Sequence, residues 1–196
     1  GMDALCHALE AIVSTRANYL SDTLAERAIL DIFEYLSKVI EDPKNMKYRE
    51  IMINASMTAG LAFTNVSLGI THSIAHGLGS LFNMPHGLAN AILLPYIVEF
   101  NSNNKEAKLI YHALADKLGQ HDLSKALFNL NWFKTLSLSF GITIENVRFF
   151  SGLACHFVRN CPRPLIWLSD IMADDPAILP VFIRAIPVKL VELNSL

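Results

Sequence analysis

Apolar residues recur along this chain at helical rather than strand spacing. Leu5, Leu9, Ile12 and Val13 fall on one side of a helix predicted over residues 3–14, and Ile29, Ile32, Phe33, Leu36 and Ile40 make a longer stripe that stops before Pro43. Ser21, Asp22 and Thr23 are the candidate N-caps of this second helix, and Thr23-x-x-Glu26 has the form of a capping box. Further helices are predicted at 48–62, 72–82, 86–99 and 105–118, then at about 123–140 and 144–159. Thr64-Asn65 to Gly69 and Asn83 to Pro85 separate the middle elements. Pro95 is expected to kink or interrupt the fifth helix, and Gly119 stands where a helix would end. Pro162, Pro164, Pro176, Pro180 and Pro187 break up the tail. No alternating strand pattern, internal repeat or low-complexity segment interrupts this reading. The fold class is all-α, a helical bundle formed as a single domain over residues 1–196.

Composition narrows the setting. Hydrophobic residues make up 52% of the 196 and charged residues 17%, against roughly 45–50% and about 25% in an ordinary soluble domain. A net charge of -2 provides no basic field, so neither nucleic acid nor an anionic membrane is an expected partner. Charge is also unevenly placed, because no Asp, Glu, Lys or Arg occurs from Ile51 to Val98. Asn54, Thr58, Asn65, Ser67, His72, His76, Asn83 and His86 interrupt that run, leaving no 18-residue apolar span for a membrane. It reads instead as a buried interior that holds polar groups. Three cysteines, Cys6, Cys155 and Cys161, form no paired framework, and no basic segment leads into an apolar stretch at the start. A reducing, cytoplasmic setting is expected.

The candidate chemistry lies in two clusters, Asp3 and His7 in MDALCHAL, then His72, His76 and His86 in THSIAHGLGSLFNMPHG. A spacing of four places Asp3 and His7 one helical turn apart, and His72 and His76 repeat it. His86 follows a proline that disfavours helix at Met84, so it can be presented from another element. One carboxylate and three imidazoles suit Fe(II), Zn(II), Mn(II), Co(II) or Ni(II). The absence of thiolates argues against a closed structural zinc site. Such an ion would keep an open position and act as a Lewis acid. A single histidine on an apolar helix is usually a hydrogen-bonded core residue. Two i,i+4 pairs and a further histidine inside a charge-free run are harder to explain that way, because burying several imidazoles without a ligand is costly. Cys6 points off the Asp3–His7 face and reads as core. His112, His121 and His156 sit in charged or irregular surroundings and are not assigned. Gly77-x-Gly79 lacks the strand, third glycine and acidic partner of a dinucleotide fingerprint and is read as a helix-packing device.

These segments resemble a known family. MDALCHALEAIVS, AGLAFTNVSLGITHSIAHGLGSLFNMPHGLANAILLPYIVEFN and the distance between them are similar to the C-terminal helical domain of the iron-containing, group III alcohol dehydrogenases, whose fold is dehydroquinate synthase-like. The resemblance is strong from residue 2 to about 119 and weaker over 120–196. It implies a divalent metal, Fe(II) or Zn(II) first, held by Asp3, His7, His72 and His86. It implies a catalytic role for His76 in proton transfer beside the metal, and a place for Phe63 in the lining of the substrate and nicotinamide pocket. The implied reaction is hydride exchange between NAD(P) and a small alcohol or aldehyde. Members of the family carry an N-terminal α/β domain that holds the dinucleotide, and nothing in this chain supplies it. NAD(P) binding is therefore expected only when such a domain is provided, and the isolated chain is expected to be inactive. Its high apolar fraction fits a surface otherwise covered or used in a homo-oligomer. Two alternatives are a truncated, non-catalytic helical scaffold that self-associates, and a glycerol dehydrogenase-type enzyme of the same superfamily. The P-H-G-x-A-N-A-I-L-L-P segment at 85–95 argues against the latter.

Overall fold

The structure is a computed structural model that describes residues 1–123 and 126, without the side chains of Leu81 and Phe82. Six α-helices follow one another: α1 Met2–Ala11, α2 Tyr19–Glu41, α3 Met46–Val66, α4 Ile70–Phe82, α5 His86–Asn101 and α6 Lys105–Lys117. No strand occurs among the described residues, and the all-α expectation holds for them. Apart from Leu123 and Ala126, the helices expected at about 123–140 and 144–159 lie outside the described residues.

The helix boundaries follow local chemistry. α2 begins at Tyr19, earlier than predicted, because Asn18 is the cap: its Oδ1 accepts from the N–H groups of Leu20 and Ser21 at 3.1 and 3.2 Å. Ser21 returns the bond, its Oγ accepting from Asn18 N at 2.9 Å. The capping box is therefore Asn18–Ser21 rather than Thr23–Glu26. Thr23 is already inside the helix and donates to the Tyr19 carbonyl at 2.7 Å. α3 runs past Thr64 and Asn65, which the sequence reading gave to a connection. Both side chains bond back to carbonyls four residues earlier, at 2.7 Å to Gly60 and 2.7 Å to Leu61, so neither acts as a breaker. The helix ends at Ser67, whose φ of 74° turns the chain. α4 ends on Asn83 in the left-handed region, a conformation asparagine tolerates better than most residues. α5 continues through Pro95 without interruption. That residue and its neighbours Leu88 to Leu94 are buried, so packing outweighs the lost backbone hydrogen bond.

α1 is the hub of the packing. α2 and α3, joined by a four-residue connection, form an antiparallel pair, and α1 lies against both of them as well as against α5 and α4. Leu5 and Leu9 of α1 meet Ile29 and Ile32 of α2, and Ala55, Ala59 and Ala62 of α3, at helical spacing, let the backbones approach closely. A second core joins Ile70, Ile74 and Leu78 of α4 to Leu88, Ile92, Leu93 and Ile97 of α5. Ala91, Leu94 and Val98 on another side of α5 belong to the first core, so α5 bridges the two. Ser14 ties the chain leaving α1 to the end of α3, its Oγ donating to the Val66 carbonyl at 2.8 Å.

Two expectations need correction. The charge-free run is not wholly interior, because α3 exposes Ile53, Met57 and Leu61 at 66, 60 and 51% along one stripe. Its opposite, alanine-lined side is the buried one. Gly77 and Gly79 are not a packing device among the described residues: a Cβ at Gly77 would meet nothing within 4 Å, and one at Gly79 only the Met84 carbonyl at 3.6 Å. No single described helix is long and apolar enough to cross a membrane.

The cap assignment yields a prediction for chemical unfolding. Asn18→Ala should lower stability by about 1 kcal/mol, whereas Thr23→Ala should change it by about 0.5 kcal/mol or less. Urea titrations of the two variants separate the two caps, and the reverse order would restore the Thr23 assignment.

Candidate metal centre

Each of three helices brings a pair of polar side chains one turn apart to the same place. α1 contributes Asp3 and His7, α4 His72 and His76, and α5 His86 with Asn90. Leu5, Cys6 and Leu9 of α1 are buried, and its polar stripe runs from half-exposed Asp3 through partly buried His7 to buried Glu10. These three positions lie within one narrow arc of the helix. His72 follows the start of α4 and is buried; His86 opens α5 directly behind Pro85.

The donor atoms converge on Asp3. His72 Nε2 and His86 Nε2 each lie 3.2 Å from Asp3 Oδ1, and ligand atoms of the three residues are all within 4.8 Å of one another. His7 stands one step out, with its Nε2 3.8 Å from Asp3 Oδ1. Its ring is stacked flat between two others, with centroids 4.5 Å from His72 and 4.3 Å from Phe63. Phe63, half-buried near the end of α3, thereby walls one side of the cluster. His76 is at the exposed rim, stacked on His86 at 5.1 Å and edge-on to His72 at 6.2 Å. Cys6 is buried with its thiol 3.6 Å from the Asn90 carbonyl, as a core residue rather than a member of the cluster.

Glu10 and Asn90 are functional candidates that the sequence reading passed over. The Glu10 carboxylate is buried and accepts from Gly69 N at 2.8 Å, Thr71 N at 2.6 Å and His72 Nδ1 at 2.7 Å. The Asn90 amide nitrogen lies amid the cluster, 2.6 Å from Asp3 Oδ1, 3.1 Å from His86 Nε2 and 3.4 Å from His72 Nε2. A signal for both was available. Glu10 continues the Asp3–His7 stripe by three residues in an otherwise apolar helix, and Asn90 is four residues beyond His86 in the charge-free run.

Electrostatics of the cluster favour positive charge at its centre. Its hydrogen bond with His72 is the largest influence on Asp3 and, against burial, holds the carboxyl down at about 2. Burial alone would pull His72 down, but hydrogen bonds to Asp3 and Glu10 and the charges of both carboxylates outweigh it and raise the imidazole to about 9. Burial pushes Glu10 up, and its bonds to His72, Thr71 and Gly69 carry it below the usual carboxylate range nonetheless. His7 and His76 are both lowered, chiefly by burial, and His72 and His86 add to this in each case.

The residues present fit a divalent cation. The two carboxylates that favour a proton on His72 would equally favour a metal ion on the Nε2 side, where three N and O donors from three helices meet. The buried Asn90 Oδ1 has no hydrogen-bond partner among the described residues, so the polar network here has room for one more donor or an ion. A helical bundle with a carboxylate–imidazole cluster between its helices, of a kind that could hold a cation, is the class this geometry defines.

Comparison with known proteins gives that class a family. The family model for the C-terminal part of the Fe-containing alcohol dehydrogenases matches residues 1–141, and this chain belongs to that family. The 1-propanol dehydrogenase of Citrobacter freundii is 47% identical over 115 residues, 59% of this chain and 31% of that protein. Among solved structures, the iron-containing alcohol dehydrogenase of Thermococcus thioreducens superimposes with a TM-score of 0.61 at 30% identity, covering 72% of this chain and 36% of the other. A 1,3-propanediol oxidoreductase gives a TM-score of 0.63 at 30% identity, over 94% of this chain and 50% of the other. The chain thus spans about a third of the length of such curated relatives.

Burial ranks the histidines of the cluster by reactivity. Diethyl pyrocarbonate should acylate His76 first, His86 and His7 more slowly and His72 last, as mapped by peptide mass spectrometry. Early modification of His72 would contradict its placement.

Proposed function

We propose that this chain is the metal-binding half of an NAD(P)-dependent alcohol dehydrogenase or aldehyde reductase, with a divalent ion, Fe(II) or Zn(II), held by Asp3, His7, His72 and His86. The convergence of ligand atoms from Asp3, His72 and His86 to within 4.8 Å, inside the segment that matches the family, is the observation that carries this reading. His7 joins the set through a ring that already faces Asp3 at 3.8 Å. When bound, such an ion supplies Lewis acidity toward an alcohol or carbonyl oxygen.

The remaining chemistry belongs to the protein's own side chains. His76 is exposed at the rim and is held more basic-form than usual by burial and by His86 and His72, so near neutral pH it is an unprotonated imidazole open to solvent. That suits it to take the proton released by an alcohol and pass it to water. Phe63, flat against His7, presents an apolar wall that favours a short aliphatic chain over a charged one. Similar proteins named for activity on 1-propanol and 1,3-propanediol point to the same class of small alcohols. In this reading the dinucleotide is held by a separate nucleotide-binding unit, as the resemblance to the family implies. A non-catalytic scaffold descended from the family remains the second reading, and metal content separates the two.

Two measurements test the proposal. Elemental analysis of the purified 196-residue chain should find about one divalent ion per molecule, reduced at least tenfold in His72→Ala; equal, trivial metal in both would overturn the assignment and favour the scaffold. Stopped-time assays with NAD and 1-propanol should show negligible turnover by these residues alone. Robust oxidation would mean that the dinucleotide is bound by some other means.

A further inference from the structure

We propose that Glu10 is the positioning residue for His72: reaching from α1, it orients the imidazole toward the ion site and closes the N-terminus of α4 with the same carboxylate. The proposal rests on reading Asp3, His72 and His86 as metal ligands. Its support comes from four features of the molecule.

Glu10 is a carboxylate only 6% exposed, among the apolar residues of α1, which is a costly location unless donors surround it. Three N–H groups do so. Two come from the first turn of α4, Gly69 N at 2.8 Å and Thr71 N at 2.6 Å, where backbone donors have no partner within the helix. Gly69, the N-cap position of α4, has no side chain to satisfy them, so the cap is delivered from another helix 59 residues earlier in the chain. The third donor is His72 Nδ1 at 2.7 Å.

That third bond determines which ring nitrogen is free. Because the Nδ1 proton is donated to Glu10, the nitrogen left for an ion is Nε2, which lies 3.2 Å from Asp3 Oδ1 and would exchange its own proton for the metal. Because the cap and the ring share one carboxylate, the direction of the imidazole is coupled to the position of the helix that carries it. Gly69 makes the approach possible: a Cβ there would stand 2.9 Å from Glu10 Oε1 and 3.0 Å from its Cδ. A purely structural cap would need the two backbone bonds alone. The bond to His72 Nδ1 assigns the further role.

The test is Co(II) binding to the full 196-residue chain, read as affinity and as the visible absorption spectrum of the bound ion. The wild type should bind Co(II) and His72→Ala should not, which establishes the ligand set separately. Glu10→Gln keeps size and removes the charge and one acceptor; it should weaken Co(II) binding by about 10- to 100-fold and shift the absorption bands, in protein whose far-ultraviolet circular dichroism remains helical. Wild-type affinity and spectrum in folded Glu10→Gln would overturn the proposal. If that variant does not fold, Gly69→Ala decides, because it displaces the carboxylate without altering any charge: weakened binding in folded protein supports the role, and unchanged binding removes it. Absence of Co(II) binding by the wild type would defeat the ligand reading and this proposal together, whereas a wild type and His72→Ala that differ confine any failure to Glu10.

Discussion

The structure depends on seating two carboxylates, half-buried Asp3 and buried Glu10, on one short helix of an apolar bundle. Desolvation of such groups is expensive, and they persist only where enough donors or cations surround them. Here His72 stands between the two, 3.2 Å from Asp3 through Nε2 and 2.7 Å from Glu10 through Nδ1. The main-chain donors of α4 satisfy the rest of Glu10, and Asn90 reaches Asp3 from α5. α1, α4 and α5 are therefore held in register by polar bonds at one point as well as by the two apolar cores that flank it.

The same constraint explains how the cluster is built. α-Helices are rigid enough that a pair of residues four apart presents two side chains in a known relation, and three such pairs brought together define a small volume. The apolar cores on either side do the holding: Leu5 and Leu9 seat α1 against α2 and α3, while Ile74, Leu78, Ile92 and Leu93 lock α4 to α5. Within each pair the two members have different surroundings. His72 is sealed between carboxylates, and its raised proton affinity marks a centre that attracts positive charge. His76, one turn on, faces outward and is shifted the opposite way. One sequence repeat thus yields a group suited to hold a cation and another suited to exchange a proton.

Much of this was legible in the residues. Hydrophobic periodicity located six helices, and the spacing of Asp3, His7, His72, His76 and His86 singled out the polar cluster, because helical geometry follows directly from sequence separation. Helix ends were less legible, since Asn18, Ser21, Asp22 and Thr23 are all competent caps and the choice among them depends on where α2 meets its neighbours. The charge-free run from Ile51 to Val98 gave too simple a picture of burial. Ile53, Met57 and Leu61 show that an uncharged helix can still have an outer face.

Sequence by itself determined the helical class, the pairs that share a helix face and, through their resemblance, the family to which the metal-centre segment belongs. These are properties of local geometry and of motif, and they survive without knowledge of the packing. Only the tertiary structure decided which members of those pairs meet. It drew Asp3, His72 and His86 together, set His7 flat between His72 and Phe63, left His76 at the rim and brought in Glu10 and Asn90, because contacts across 56 to 87 residues depend on how α1, α3, α4 and α5 cross. A carboxylate such as Glu10 looks like any other glutamate along the chain; burial against the start of another helix is what makes it part of the site.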